Sequence, residues 1–237
     1  MNTMRLHSPE GNEFIMKNIQ PVLIENVWSE YLVETYPSNY FDFFIDIGAR
    51  GIKHPWHVHN IAKNNPNTTI VALEPDVPYC KEIAEKKEEL GLDNLHILPV
   101  GFGDGERISI PDGSTDTIDL PGILNAYGLD INKKWAFKID CEGCEKHIMN
   151  DESVDILKQC DHFAIEFHGV NCGANYFTDK YGLLENMFEG ESWLTTNFDS
   201  SHEMFITGID PGLTSYIMVN REILNSENRP EFWNSIL

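Results

Sequence analysis

The chain has 237 residues, 41% of them hydrophobic, enough for one large domain with a packed core. Its 17 Lys and Arg stand against 38 Asp and Glu, a formal net charge of −21; that field opposes a polyanion such as a nucleic-acid backbone and suits a neutral small molecule or glycan. No run of ~18 or more uncharged apolar residues occurs, so no membrane span is expected, and residues 1–13 lack the apolar core of a secretory signal.

Five cysteines, at 80, 141, 144, 160 and 172, are odd in number, and the chain is too large to need disulfide staples. A reduced, cytoplasmic setting is expected. Apolar positions between 13 and 36 become helically spaced from Val27, and Pro21 is placed to start or kink that segment. Residues 1–40 read as a helical extension over one sheet edge.

Residues 42–47 form the first strand, an apolar β-prone run interrupted by Asp46 and closed by Gly48 and Gly51. Helix-compatible sequence follows over 56–64. Strand, acid, glycine turn and helix open a nucleotide-type α/β site, because glycine lets backbone approach a ligand and take positive φ. An ordinary strand-to-helix turn has the same pattern. His57 and His59, two apart, point to different helix faces and read as surface or capping residues. The second strand is 68–73, ending at Glu74 and Pro75. A charged helix over 77–91 stops at Gly91. The third strand is 94–100, and a loop with Gly103 and Asp104 follows. Residues 107–110 and 114–118 suggest a small hairpin, then a short helix runs to Tyr127. The fourth strand, 135–139, ends in Asp140, and a helix spans 145–159. The fifth strand, 162–167, ends at His168. A helix over 178–189, strands at 193–198 and 215–220, and a partly helical tail complete the chain.

Repeated alternation of strand and helix implies an α/β fold with a doubly wound, mostly parallel sheet and one antiparallel edge. The expected division is an extension over 1–40, a domain over 41–220 and a tail over 221–237. In such a sheet ligands bind outside the C-terminal ends of the strands. Collected there are Asp46, Glu74, Asp104, Asp140, Glu142, Glu166 and His168. Crowded carboxylates repel one another and raise each other's pKa, so the crowding favours a positive or hydrogen-bond-donating ligand. S-adenosylmethionine offers a sulfonium, an ammonium and ribose hydroxyls. Glu74, 26 positions after Gly48, can accept both hydrogen bonds of a ribose diol, as acids in NAD sites also do. The G-x-G-x-x-G fingerprint is absent, since its second glycine falls on Arg50, and Asp46 would repel a pyrophosphate.

Asp140 and Glu142 lie two apart, as do Glu166 and His168, and such pairs share a face in extended chain. If the fourth and fifth strands are neighbours, the four converge. They could then hold a hard divalent cation or supply a general base; Glu142 could instead cap the following helix. Cys141 and Cys144 have C-x-x-C spacing; zinc would need a second pair, a redox motif wants its first cysteine at a helix start beside a strand, roughly where Cys141 stands, and the favoured reading is two small side chains packed at a strand-to-helix junction.

Six blocks then occur in order: Phe44-Ile45-Asp46-Ile47-Gly48-Ala49; Val71-Ala72-Leu73-Glu74-Pro75; Gly101-Phe102-Gly103-Asp104; Thr117-Ile118-Asp119-Leu120; Lys138-Ile139-Asp140-Cys141-Glu142-Gly143-Cys144-Glu145; and Ile165-Glu166-Phe167-His168. Together they resemble the signature of the FkbM-type methyltransferase family, over about 42–170. The resemblance implies a class I, Rossmann-like, seven-stranded sheet and S-adenosylmethionine as cofactor. It also implies methyl transfer, usually to a hydroxyl of a sugar or secondary metabolite. By matching position it implies Asp46, Gly48 and Ala49 at the methionine end of the cofactor, Glu74 at the ribose, Asp104 at the adenine amino group and Asp140 near the methyl. The family usually has Asn, then a glycine two further on, where this chain has Arg50, Gly51 and Ile52. The expected chemistry is O-methylation of a sugar, glycan or small metabolite. His168 would be the base, with Asp140, Glu142 and Glu166 orienting it or binding a metal. A dinucleotide-dependent oxidoreductase and a non-catalytic module on the same fold are the alternatives.

Overall fold

The computed structural model describes residues 3–7, 13–17, 31–50, 58–110, 113–169, 187–210 and 213–236. Its main sheet begins with β1 (Phe43–Ile47), buried along its whole length. α1 (Val58–Asn64), β2 (Thr69–Leu73), α2 (Val77–Leu90) and β3 (Leu95–Leu98) follow. α2 starts where the Asp76 side chain accepts from the Tyr79 N–H and stops at Gly91, whose φ of 64° suits glycine. After a segment of short strands come α3 (Leu120–Tyr127), β4 (Trp135–Ile139), α4 (Asp151–Leu157) and β5 (His162–His168). α5 (Met187–Phe198), β6 (His202–Asp210), β7 (Leu213–Asn220), α6 (Arg221–Asn225) and α7 (Glu231–Ile236) close the chain.

The seven strands run in the order β3-β2-β1-β4-β5-β7-β6. β3, β2, β1, β4 and β5 are parallel, and β7 is antiparallel to both β5 and β6. The sheet is thus α/β, doubly wound and mostly parallel. From β1 the chain winds one way through β2 and β3, then the other way through β4 and β5. The C-terminal ends of β1 and β4 therefore flank a topological switch point, where the connections part and leave a crevice.

Side chains of β1 alternate between two cores. Phe43, Ile45 and Ile47 pack with Leu120 and Ile123 of α3, Leu157 of α4 and Phe198 of α5. Phe44 packs on the other face with Ile61 of α1, Ile83 of α2 and Trp233 of α7. Helices on both faces explain why β1 and β4, apart from Asp46 and Lys138, are apolar rather than alternating. Among the described residues no helix is long and apolar enough to cross a membrane.

Several elements differ from the sequence reading. Residues Glu13–Lys17 form a strand antiparallel to Thr3–His7, not part of a helix. The β-prone run Phe14-Ile15-Met16 finds a backbone partner there. Val33–Thr35 is one 3-10 turn, and residues 18–30 lie outside the described residues. The expected helix over 145–159 is split. Cys144–Ile148 is a 3-10 turn, and α4 restarts after Asn150, whose side chain accepts from the Ser153 N–H. Asn caps helices better than it continues them. Residues 193–198 are helical, because Leu194 and Phe198, four apart, are buried on one face of α5. Strand β6 lies further on. Of the expected helix over 178–189, only the part from Met187 is described, and it belongs to α5. Ile108–Ile110 pairs with Gly113–Thr115, whereas Thr117–Ile118 pairs with Gly101–Phe102. His59 is buried in α1 rather than exposed; His57 and Gly51 lie outside the described residues.

Candidate functional site

β1 is followed at once by Gly48, with φ 76°. A Cβ there would sit 1.8 Å from the backbone oxygen of Asp140, so glycine is required where the ends of β1 and β4 press together. The Asp140 N–H donates to Ile47 O at 3.1 Å across the same junction. One step earlier, Asp46 and Lys138 are register partners in neighbouring strands, both fully buried. The Lys138 ammonium lies 3.0 Å from Asp46 Oδ1 and donates to Gly48 O at 2.7 Å. Burial alone would lower the proton affinity of Lys138, but Asp46 and Asp140 outweigh it and hold the ammonium charged. Tyr31 covers this pair: its ring centroid is 5.3 Å from Lys138 Nζ, and its hydroxyl donates to Asp140 Oδ2 at 2.7 Å.

Above the switch point lies a cavity of about 220 Å³. Leu73, Tyr79, Val100, Phe102 and Ile110 give it apolar walls, and Gly48, Arg50, Glu74, Asp76, Asp140 and Glu142 give it a polar side. Glu74 is buried and fixed by two amides: Oε2 accepts from Arg50 N–H at 2.7 Å and Oε1 from Asp76 N–H at 2.8 Å. Burial pushes its carboxyl up, and the two amides pull it part of the way back. Each oxygen keeps a lone pair for a ligand donor. Asp46 is committed to Lys138 and does not line the cavity. Ala49 is buried beside it, and Asp104 is exposed on the loop after Gly101–Phe102; neither lines the cavity.

Beside the cavity the loop after β4 wraps around Glu145. That carboxylate accepts from Cys141 N–H at 2.9 Å and Gly143 N–H at 3.0 Å. Left-handed backbone at Glu142 (φ 59°) and Gly143 (φ 120°) makes the tight wrap. Glu145 Oε1 also meets His168 Nδ1 at 2.9 Å. The other ring nitrogen, Nε2, lies 3.2 Å from Glu166, 3.6 Å from Glu142 and 3.7 Å from Asp140. Burial disfavours the imidazolium, but the bonds to Glu145 and Glu166, then the charges of Glu145 and Asp140, push its pKa to about 11. The carboxylates of Glu145, Glu166, Glu142 and Asp140 around the ring favour its protonated form. A general base must be neutral, so to act as one His168 would have to give up the proton that its carboxylate neighbours favour. Glu166 also accepts from the Ser215 hydroxyl at 2.8 Å. Glu142 makes no helix cap; Gly143 holds that position. Burial raises the Glu142 carboxyl, and His168 partly offsets this.

Asp140, Glu166 and His168 each offer one ligand atom, all within 4.8 Å of one another. The set has the chemistry of a divalent-cation site once Nε2 loses its proton. Cys141 and Cys144, expected as two packed thiols, are joined by a disulfide with Cα atoms 5.6 Å apart.

No family model and no curated protein matches the sequence. Among solved structures, a candidate rRNA-methylase from Clostridium thermocellum aligns with a TM-score of 0.54 at 10% identity, over 84% of this chain and 98% of that one. The fold is that of a class I methyltransferase. An rRNA methylase from Streptococcus thermophilus aligns at TM-score 0.48 and 9% identity, over 81% and 92% of the two chains. A candidate methyltransferase from Streptococcus mutans, in complex with SAH, aligns at 0.43 and 10%, over 81% and 94%.

Within this class I fold, three residues of the site escaped the sequence reading: Lys138, Glu145 and Tyr31. For Lys138 a signal existed. A lysine inside an apolar strand needs a buried anion, and Asp46 interrupts the other apolar strand in the same way. Glu145 sits in the loop block but gives no local sign that it holds two amides and a histidine. Tyr31 reaches Asp140 across 109 positions, which no local pattern encodes.

Proposed function

We propose that this chain is an S-adenosylmethionine-dependent methyltransferase of FkbM type that O-methylates a hydroxyl of a sugar, glycan or small metabolite. One observation carries the reading. A cavity at the β1/β4 switch point is walled by apolar side chains on one side and by Glu74, Asp140 and Glu142 on the other. That donor set suits a flat heterocycle, a ribose diol and a cationic centre. The same acids would repel a pyrophosphate, so a dinucleotide fits less well.

When bound, the cofactor supplies an electrophilic methyl on a sulfonium. Glu74, oriented by two amides, accepts from the ribose hydroxyls. Asp140, steadied by Tyr31, places negative charge beside the cationic centre. Glu142 takes up the proton lost by the acceptor hydroxyl, since it lines the cavity and burial raises its proton affinity. His168 stays charged and keeps Glu142, Glu166 and Asp140 together. Holding acceptor and donor in line supplies the rest as proximity.

A second reading of the cluster rests on the spacing of Asp140, Glu166 and His168. There a divalent cation would displace the Nε2 proton while Glu145 keeps Nδ1–H oriented. The test is transfer of labelled methyl from S-adenosylmethionine to a panel of glycans and small hydroxyl compounds, with and without chelator. Transfer that survives chelation supports the proton-carrying His168, and transfer restored by Mg²⁺ or Mn²⁺ supports the metal. No transfer to any acceptor, with S-adenosylmethionine shown not to bind, overturns the assignment.

A further inference from the structure

We infer that Arg50 receives the carboxylate of the methionyl end of S-adenosylmethionine and sets the preference of the site for that cofactor over its decarboxylated form. The inference rests on the reading of the cavity given above.

The cavity lining holds four acids, Glu74, Asp76, Asp140 and Glu142, and among its described residues one cation, Arg50. S-adenosylmethionine carries the complementary set: two positive centres that need acids and one carboxylate that needs a cation. Placed among four acids with no cation, that carboxylate would be repelled, and the site would prefer the decarboxylated compound.

Lys138 does not fill the role. It is buried, its ammonium is committed to Asp46 and Gly48 O, and withdrawing it would leave a buried carboxylate unpaired. Arg50 is placed differently. Its backbone N–H is fixed on Glu74 Oε2, so the residue is anchored to the acid assigned to the ribose. Its side chain is 54% exposed, and its Nη1 lies 3.5 Å from Glu142 Oε1, a loose pairing that a ligand can exchange. Its φ of 49° lies in the left-handed region, which long side chains seldom adopt. From that backbone the Arg50 side chain reaches Glu142, on the loop after β4. A guanidinium there offers two parallel N–H donors to a carboxylate. Glu142, released, faces the positive centres.

Calorimetric titration of the full chain with S-adenosylmethionine and with its decarboxylated form tests this. Arg50→Asn removes the cation while tolerating left-handed backbone, and Arg50→Lys keeps the charge without the fork. The wild type should bind S-adenosylmethionine about tenfold or more tightly than the decarboxylated form. Arg50→Asn should weaken S-adenosylmethionine by a similar factor and leave the decarboxylated compound unchanged, with Arg50→Lys recovering part of the loss. Equal loss for both compounds in Arg50→Asn would mean that Arg50 only braces Glu142, and the inference fails while the cofactor reading stands. Loss for neither compound would mean that Arg50 takes no part in binding, and the inference fails likewise. Wild-type protein that binds neither compound overturns the cofactor reading and this inference with it.

Discussion

Asp46 and Lys138 form a buried pair under the site, and their energetics are decided by what happens when one is removed. Lys138→Met leaves a carboxylate in the core with its cation gone, which costs about 3–5 kcal/mol in such sites. In chemical unfolding, Lys138→Met should lose about that much. Adding Asp46→Asn should recover a large part of it. Strictly additive losses would mean the two do not interact. Each charge was visible in the sequence as an intruder in an apolar strand. Their pairing was not, because it depends on β1 and β4 being neighbours in register. Gly48 shows the converse. Its presence was legible, but the reason differs from ligand approach, since the backbone of Asp140 occupies the space a Cβ would need.

At the scale of elements, the sequence marks strands more clearly than helix breaks. β1, β2, β4 and β5 are short apolar runs bounded by acids or glycines, and they stand where such runs should. The segment after β4 reads as one helix because its apolar spacing continues. Yet the loop must first wrap Glu145, and Asn150 then restarts the helix as a cap. Asn150→Ala should cost about 1 kcal/mol in urea unfolding, and Asn150→Asp should cost much less. Equal losses in the two variants would show that the cap does not hold α4. Residues 193–198 were misread for another reason: Trp193, Leu194 and Phe198 suit a strand locally, but burial of Leu194 and Phe198 on one face decides for a helix.

For the whole molecule, alternation of strand and helix sufficed to give the doubly wound sheet. The site draws on the ends of β1, β2, β4 and β5, and only the completed topology brings them together. The N-terminal segment adds Tyr31, which lids the charged pair and whose carbonyl accepts from His162 Nε2 at 2.7 Å. His162 Nδ1 accepts from the Tyr36 hydroxyl at 3.0 Å, and burial lowers its pKa to about 4. Between pH 6.5 and 4 the unfolded chain binds a proton on this histidine that the native state refuses. That contribution to stability is therefore complete above pH 6.5 and is lost as pH falls toward 4. The slope of unfolding free energy against pH in this window should be shallower in His162→Gln than in the wild type, by up to one proton. Identical slopes would mean that His162 does not titrate this way.

In the function proposed above, the cavity over β1 and β4 holds a sulfonium-bearing nucleoside through Glu74. Calorimetric titration with S-adenosylmethionine measures this most directly, on the wild type and on Glu74→Ala. One site per chain in the wild type, at least about tenfold weaker in a folded Glu74→Ala protein, is the predicted result. An absence of binding in the wild type, or binding untouched by loss of Glu74, would contradict it.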